Sequence, residues 1–124
     1  MKRLIVALTL ALTFCAVPAF AQLVVNPTRV EFTASTDHAD IVSYDLGYFA
    51  PGATDPVQVV NLGKPTPDGA NLCTSAVNVR PLGWVQNFIV KVRAVASPTV
   101  MSEWSDASNP FSRMPGKPGG PVIK

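Results

Sequence analysis

Histidine and cysteine are nearly missing from this chain: His38 is the one imidazole, and Cys15 and Cys73 are the two thiols. A metal site built on nitrogen or sulfur needs three or four converging ligands, so no metal is expected. A lone histidine also confines any Ser-His-Asp arrangement to Asp37-His38-Ala39-Asp40, and no G-x-S-x-G nucleophile motif stands there. His38 reads as part of a solvated loop. Carboxylates paired in an apolar setting are missing, and so is a glycine-rich phosphate cradle. Without a set of nucleophile, base and oxyanion donors the chain does not read as an enzyme, and no cofactor is expected.

Long apolar runs are equally scarce. The one of any length, Leu4 to Val17, follows Lys2-Arg3 and precedes Ala19-Phe20-Ala21. It is shorter than the roughly 20 residues of a spanning helix and has the layout of a secretory signal peptide, residues 1–21, cleaved before Gln22. Localisation is accordingly expected outside the cytoplasm, secreted and extracellular or periplasmic, with no membrane span in the remainder. Net charge is also lacking once the leader is gone. The ten Lys and Arg residues become eight when Lys2 and Arg3 leave, against eight Asp and Glu. A neutral body gives no footprint for nucleic acid. Cys73 is left alone, so no intramolecular disulfide can form.

No sustained helical spacing is present, and twelve prolines punctuate the chain. What is present is a series of short alternating runs between turn clusters, the pattern of an all-β sandwich. Val30, Phe32 and Ala34 alternate with polar residues, as do Val42, Tyr44, Leu46 and Tyr48. Pro56 to Leu62 and Leu72 to Val79 are further strands. Phe88, Val90, Val92, Ala94 and Ala96 form the clearest inward face, with Lys91 and Arg93 turned outward. Met101 to Phe111 closes the body. These are six strands, with Leu23-Val24-Val25 a candidate seventh. Residues 22–111 suffice for one domain, and the Pro/Gly-rich residues 112–124 read as a flexible tail. The inward parity of Val79 and Val77 carries back to Ser75 and Cys73, which makes Cys73 a buried free thiol in a monomer. The competing parity turns Leu72 inward and leaves Cys73 at the surface.

Phe88 to Ala94, with Leu82 six residues before the aromatic, resembles the sixth strand of a fibronectin type III module. Tyr44 in Ser-Tyr-Asp-Leu resembles that family's third-strand tyrosine, and SEWSDAS its last strand; the resemblance covers residues 28–111. It implies a fibronectin type III or immunoglobulin-like β-sandwich of six to seven strands, a scaffold with no chemistry of its own. Phe88 stands where the family usually has a tyrosine that bonds back to the backbone. The second strand lacks the usual core tryptophan, leaving Trp84 or Trp104 to fill that volume, and the family's first strand is truncated or absent.

Ser102-Glu103-Trp104-Ser105 also resembles half of the tryptophan-serine box of cytokine receptors. That resemblance implies a binding surface in which Trp104 stacks between Lys91 and Arg93; the alternative is a Trp that merely covers the sheet. A platform of Tyr48, Phe49 and Trp84 suits a sugar ring, although parity and position favour packing for these aromatics. The function expected is a non-catalytic module for protein interaction or structural scaffolding, the alternative a carbohydrate-binding module, and the partner a protein or a polysaccharide.

Overall fold

The computed structural model describes residues 23–124; the expected leader lies outside the described residues. The strands are β1 (Val24–Val25), β2 (Arg29–Thr33), β3 (Ser43–Phe49), β4 (Gln58–Gly63), β5 (Leu72–Ala76), β6 (Val85–Ser97), β7 (Val100–Met101) and β8 (Phe111–Arg113). Short 3-10 turns at His38–Asp40 and Arg80–Leu82 interrupt them. Among the described residues no helix is long and apolar enough to cross a membrane.

One sheet runs β1-β8-β6-β3-β4, with β7 also paired to β6, and a second consists of β2 and β5. β1 lies parallel to β8, and the other pairs are antiparallel. The sheets face each other across an apolar core. Val30 and Phe32 of β2 pack against a cluster that includes Tyr44, Leu46 and Tyr48 of β3, Val92 of β6 and Phe111 of β8. The rings of Phe32 and Tyr44 meet edge to face at 4.9 Å, a geometry worth about 1 kcal/mol beyond area burial. The architecture is all-β in two layers, compatible with a β-sandwich.

Alternation places most of this core correctly, and the exceptions have local causes. Val42 is exposed and Ile41 is buried in its stead, because β3 begins only at Ser43 and the parity slips before it. Ala96 is exposed and Val95 buried: β3 pairing ends at Ser43↔Val95, so nothing covers Ala96 from that side. Neither tryptophan fills the core. Tyr44, Tyr48 and Phe111 supply the large rings instead, while Trp84 is 63% exposed. The tail begins later than residue 112, since Ser112 is buried and Ser112 and Arg113 belong to β8. Met114 is also tied in, its backbone N–H and C=O both bonded to the Asn26 amide at 3.0 Å.

The expected last strand, Met101 to Phe111, is divided. Residues 102–110 carry no strand assignment, yet they are bonded to β6 throughout. Ser102, Ser105 and Ser108 donate their backbone N–H to the carbonyls of Ala94, Val92 and Val90. Each serine hydroxyl accepts the N–H of that same β6 residue, at 2.8, 3.0 and 3.0 Å. Three residues of the segment therefore span two of β6, roughly 6.8 Å, so the segment is contracted relative to a strand. The spacing Ser-x-x-Ser-x-x-Ser causes this, because hydroxyls replace the carbonyls of a regular ladder. Ser112 repeats the device at Asn87, whose φ of 57° marks a bulge, by accepting its N–H at 3.1 Å.

Candidate functional site

The residues expected to bind, Trp104, Lys91 and Arg93, do come together, but as a closed stack on the outer face of the larger sheet. Trp104 lies between Ser102 and Ser105, and the serine bonds fix its backbone against β6. Its indole crosses β6 and reaches Gly47 of β3, where an added Cβ would stand 2.9 Å from Cη2 of Trp104 and 2.8 Å from a ring carbon of Phe49. Close approach, rather than backbone conformation, requires glycine there. Phe49 meets Trp104 edge to face at 5.4 Å. The Arg93 guanidinium stacks over Trp104 at 4.4 Å, whereas the Lys91 ammonium sits over Phe49 at 4.9 Å. Trp104 is thus not stacked between two cations; each cation takes its own ring.

Arg93 is further committed to Asp45, with Nη2 3.1 Å and Nε 3.2 Å from the same carboxylate oxygen. Asn61 approaches the other carboxylate oxygen at 3.4 Å. Asp45 is only 8% exposed, so this is an ion pair whose disruption leaves a charge poorly hydrated. Lys91 and Arg93, expected on the surface, are half-buried. Every residue of β3 is buried as a result, on both faces. Chemically the stack is a cover whose rings and Arg93 guanidinium are already engaged.

The sugar platform does not assemble. Tyr48 and Phe49 are buried at 2% and 0% exposure, leaving only Trp84 at the surface. Trp84 follows the turn at Gly83, whose φ of 74° lies in the left-handed region that glycine adopts without cost. The chain so redirected carries the indole outward, where Arg113 of β8 stacks over it at 4.1 Å. Arg80, Pro27 and the exposed Met114 border the adjoining cleft of about 360 Å³, and no carboxylate lines it. The sequence reading missed this pair. Its signal, a tryptophan directly after a turn glycine, was present, but the bulge that brings Arg113 opposite Val85 was not legible.

His38 is not simply solvated. Its Nδ1 lies 2.8 Å from the Tyr44 hydroxyl, which also accepts the Ser35 N–H at 3.0 Å. Burial raises the Tyr44 phenol above its ordinary value, against the lowering effect of the Ser35 bond. Cys73 is fully buried and free, as the Val79 parity required, and its Sγ points at the Pro65 carbonyl at 3.5 Å. Burial and the nearby Asp68 carboxylate raise the thiol's pKa, which suppresses the reactive thiolate. Among the described residues no three of His, Cys, Asp and Glu converge.

Fold and surface together define a class: a two-layer all-β protein whose β3 is covered on the outer face by the Trp104 stack, with an exposed Trp84 stacked against Arg113 at one end. No protein-family model, curated protein or solved structure matches the chain.

Proposed function

We propose that the chain is an exported, non-catalytic sandwich of the fibronectin type III kind, and that it works by contact with another protein. The observation carrying the contact reading is Trp84, 63% exposed and stacked with Arg113. Tryptophan and arginine are the residues most enriched at the energetic centres of protein interfaces. Arg80 and Arg113 border the cleft without a carboxylate among its lining residues, so the partner surface offers an acidic group beside an apolar one. The family reading is supported by the β4-β3-β6-β8 order opposite β2-β5, with Leu82, Phe88, Val90 and Ala94 packed on the core. Carbohydrate binding is the weaker reading because its platform is reduced to Trp84 alone.

The partner recovered with the exported protein tests this. Trp84→Ala and Arg113→Ala each weaken its binding at least tenfold, about 1.4 kcal/mol, without a fall in melting temperature. Binding that is unchanged in both variants, or a glycan array bound through Trp84, contradicts the proposal.

A further inference from the structure

Among the described residues β2 has a strand partner on one edge only, β5. The register, with Val77 N–H bonded to the Thr28 carbonyl and Ala34 N–H to the Asn71 carbonyl, aims the backbone groups of Val30 and Phe32 at β5. Those of Arg29, Glu31 and Thr33 therefore point away from it, toward an edge that no strand occupies among the described residues. Natural edges are blunted by shortness, edge charges, proline, an inward charge or a bulge. β2 is five residues long and carries Arg29 and Glu31, but it has no proline and no bulge interrupts its register with β5.

The same edge borders an opening into the core. A cavity of about 340 Å³ lies between Arg29–Glu31 and Ser108–Asn109, and one of about 470 Å³ between Phe32–Thr33 and Ser102–Asp106. Leu46, Val90 and Val92 are among the residues flooring them, and Val30, Phe32, Val90 and Ala94 are left only partly buried. Backbone groups aimed away from β5 at every second residue, beside an apolar trough between two sheets, are the two halves of one strand position. A small molecule supplies neither the roughly 6.8 Å repeat of paired donors and acceptors nor side chains to enter the trough at alternate positions.

We infer that this flank receives an extended segment of another protein, which pairs with β2 and inserts alternate apolar side chains between the sheets. The charges select its character. Arg29 and Glu31 offset each other at one end of the trough, while Glu103 and Asp106 line the other without an ion-pair partner among the described residues. The incoming strand is therefore basic where it passes Glu103 and Asp106. The chain's own tail is a poor occupant, since Pro115, Pro118 and Pro121 have no N–H to give. This inference rests on the contact-module reading but uses a surface separate from Trp84.

The test is a titration of the mature protein with a labelled nine-residue peptide that alternates valine and threonine and begins with two lysines, followed by fluorescence anisotropy. Saturable binding is expected. It is lost when alternate peptide nitrogens are methylated, and lost in Glu31→Pro, which removes an outward N–H while sparing the β5 ladder. Glu103→Lys with Asp106→Lys weakens it at least tenfold, and Trp84→Ala leaves it unchanged, so failure here is distinguishable from failure of the Trp84 surface. Absence of saturable binding overturns the inference, as does undiminished binding of the methylated peptide. A Glu31-dependent dimer in sedimentation, formed in place of peptide binding, overturns the choice of occupant.

Discussion

Along the edge of β6, the N–H groups of Asn87, Val90, Val92 and Ala94 each donate to a serine hydroxyl. Along β2, across the trough, the backbone of Arg29, Glu31 and Thr33 points toward an edge with no strand partner among the described residues. One edge is finished by residues within the chain and the other is left open. The difference lies in what each flanking segment supplies. Residues 102–112 bring a serine hydroxyl to four amides of β6, and a tryptophan that then covers the sheet. The segment before β2 is drawn off by β1, which joins β8 instead. Closure at β6 is thus made by serine hydroxyls together with the serine backbone N–H groups, and β2 has no equivalent among the described residues.

The largest effects come from breaking the closed side from within. Val92→Asp puts an unpaired carboxylate into the core at the centre of β6 and costs about 4 kcal/mol, enough to unfold a domain of ordinary stability. Arg93→Asp, which outward alternation would class as harmless, sets a second carboxylate against the buried Asp45 and removes the Trp104 stack. A loss of about 3 kcal/mol is expected, read from urea denaturation. Gly47→Ala follows at about 1–3 kcal/mol, because its methyl would stand 2.9 Å from Trp104. That cost shrinks in a Trp104→Ala background, and an undiminished cost would show that the cover is not what glycine accommodates. Ser105→Ala leaves the Val92 N–H without its hydroxyl acceptor and lowers stability by about 1 kcal/mol.

The smallest effect is a pH dependence. The fold raises the pKa of Cys73 above 9.0 and those of Tyr44 and Tyr48 above 10.0, with burial the leading cause in each. A raised folded-state value means that the folded protein holds its proton where the unfolded chain releases it. Stability is therefore intact below pH 9 and falls as the pH climbs, first through Cys73 and then through the tyrosines. Denaturation midpoints at pH 8 and pH 10.5 reveal the fall, and Cys73→Ala removes its earliest part.

The positions of β1 to β6, the inward face Phe88-Val90-Val92-Ala94 and the burial of Cys73 were legible because period-two alternation and parity act locally along one strand; the division of the last strand by its serines was not. The meeting of Trp104 with Arg93 was legible from neighbouring strands. That Trp104 extends to Gly47 was not, since β3 is remote in sequence and a glycine gives no apolar signal. Trp84 was misjudged for a related reason: its direction depends on the turn at Gly83 and on Arg113 arriving opposite β6. Alternation in Val30 and Phe32 reports which face is buried and says nothing about which neighbour is missing; only the truncated or absent first strand of the fibronectin type III resemblance pointed to the open edge of β2.

Amide hydrogen exchange on the native protein, resolved residue by residue, tests the contrast between the two edges most directly. Amides of Val90, Val92 and Ala94 are expected to exchange slowly, while those of Arg29, Glu31 and Thr33 exchange at close to unprotected rates. Comparable protection on β2 would contradict the account, because it would mean that the edge described as open is already paired.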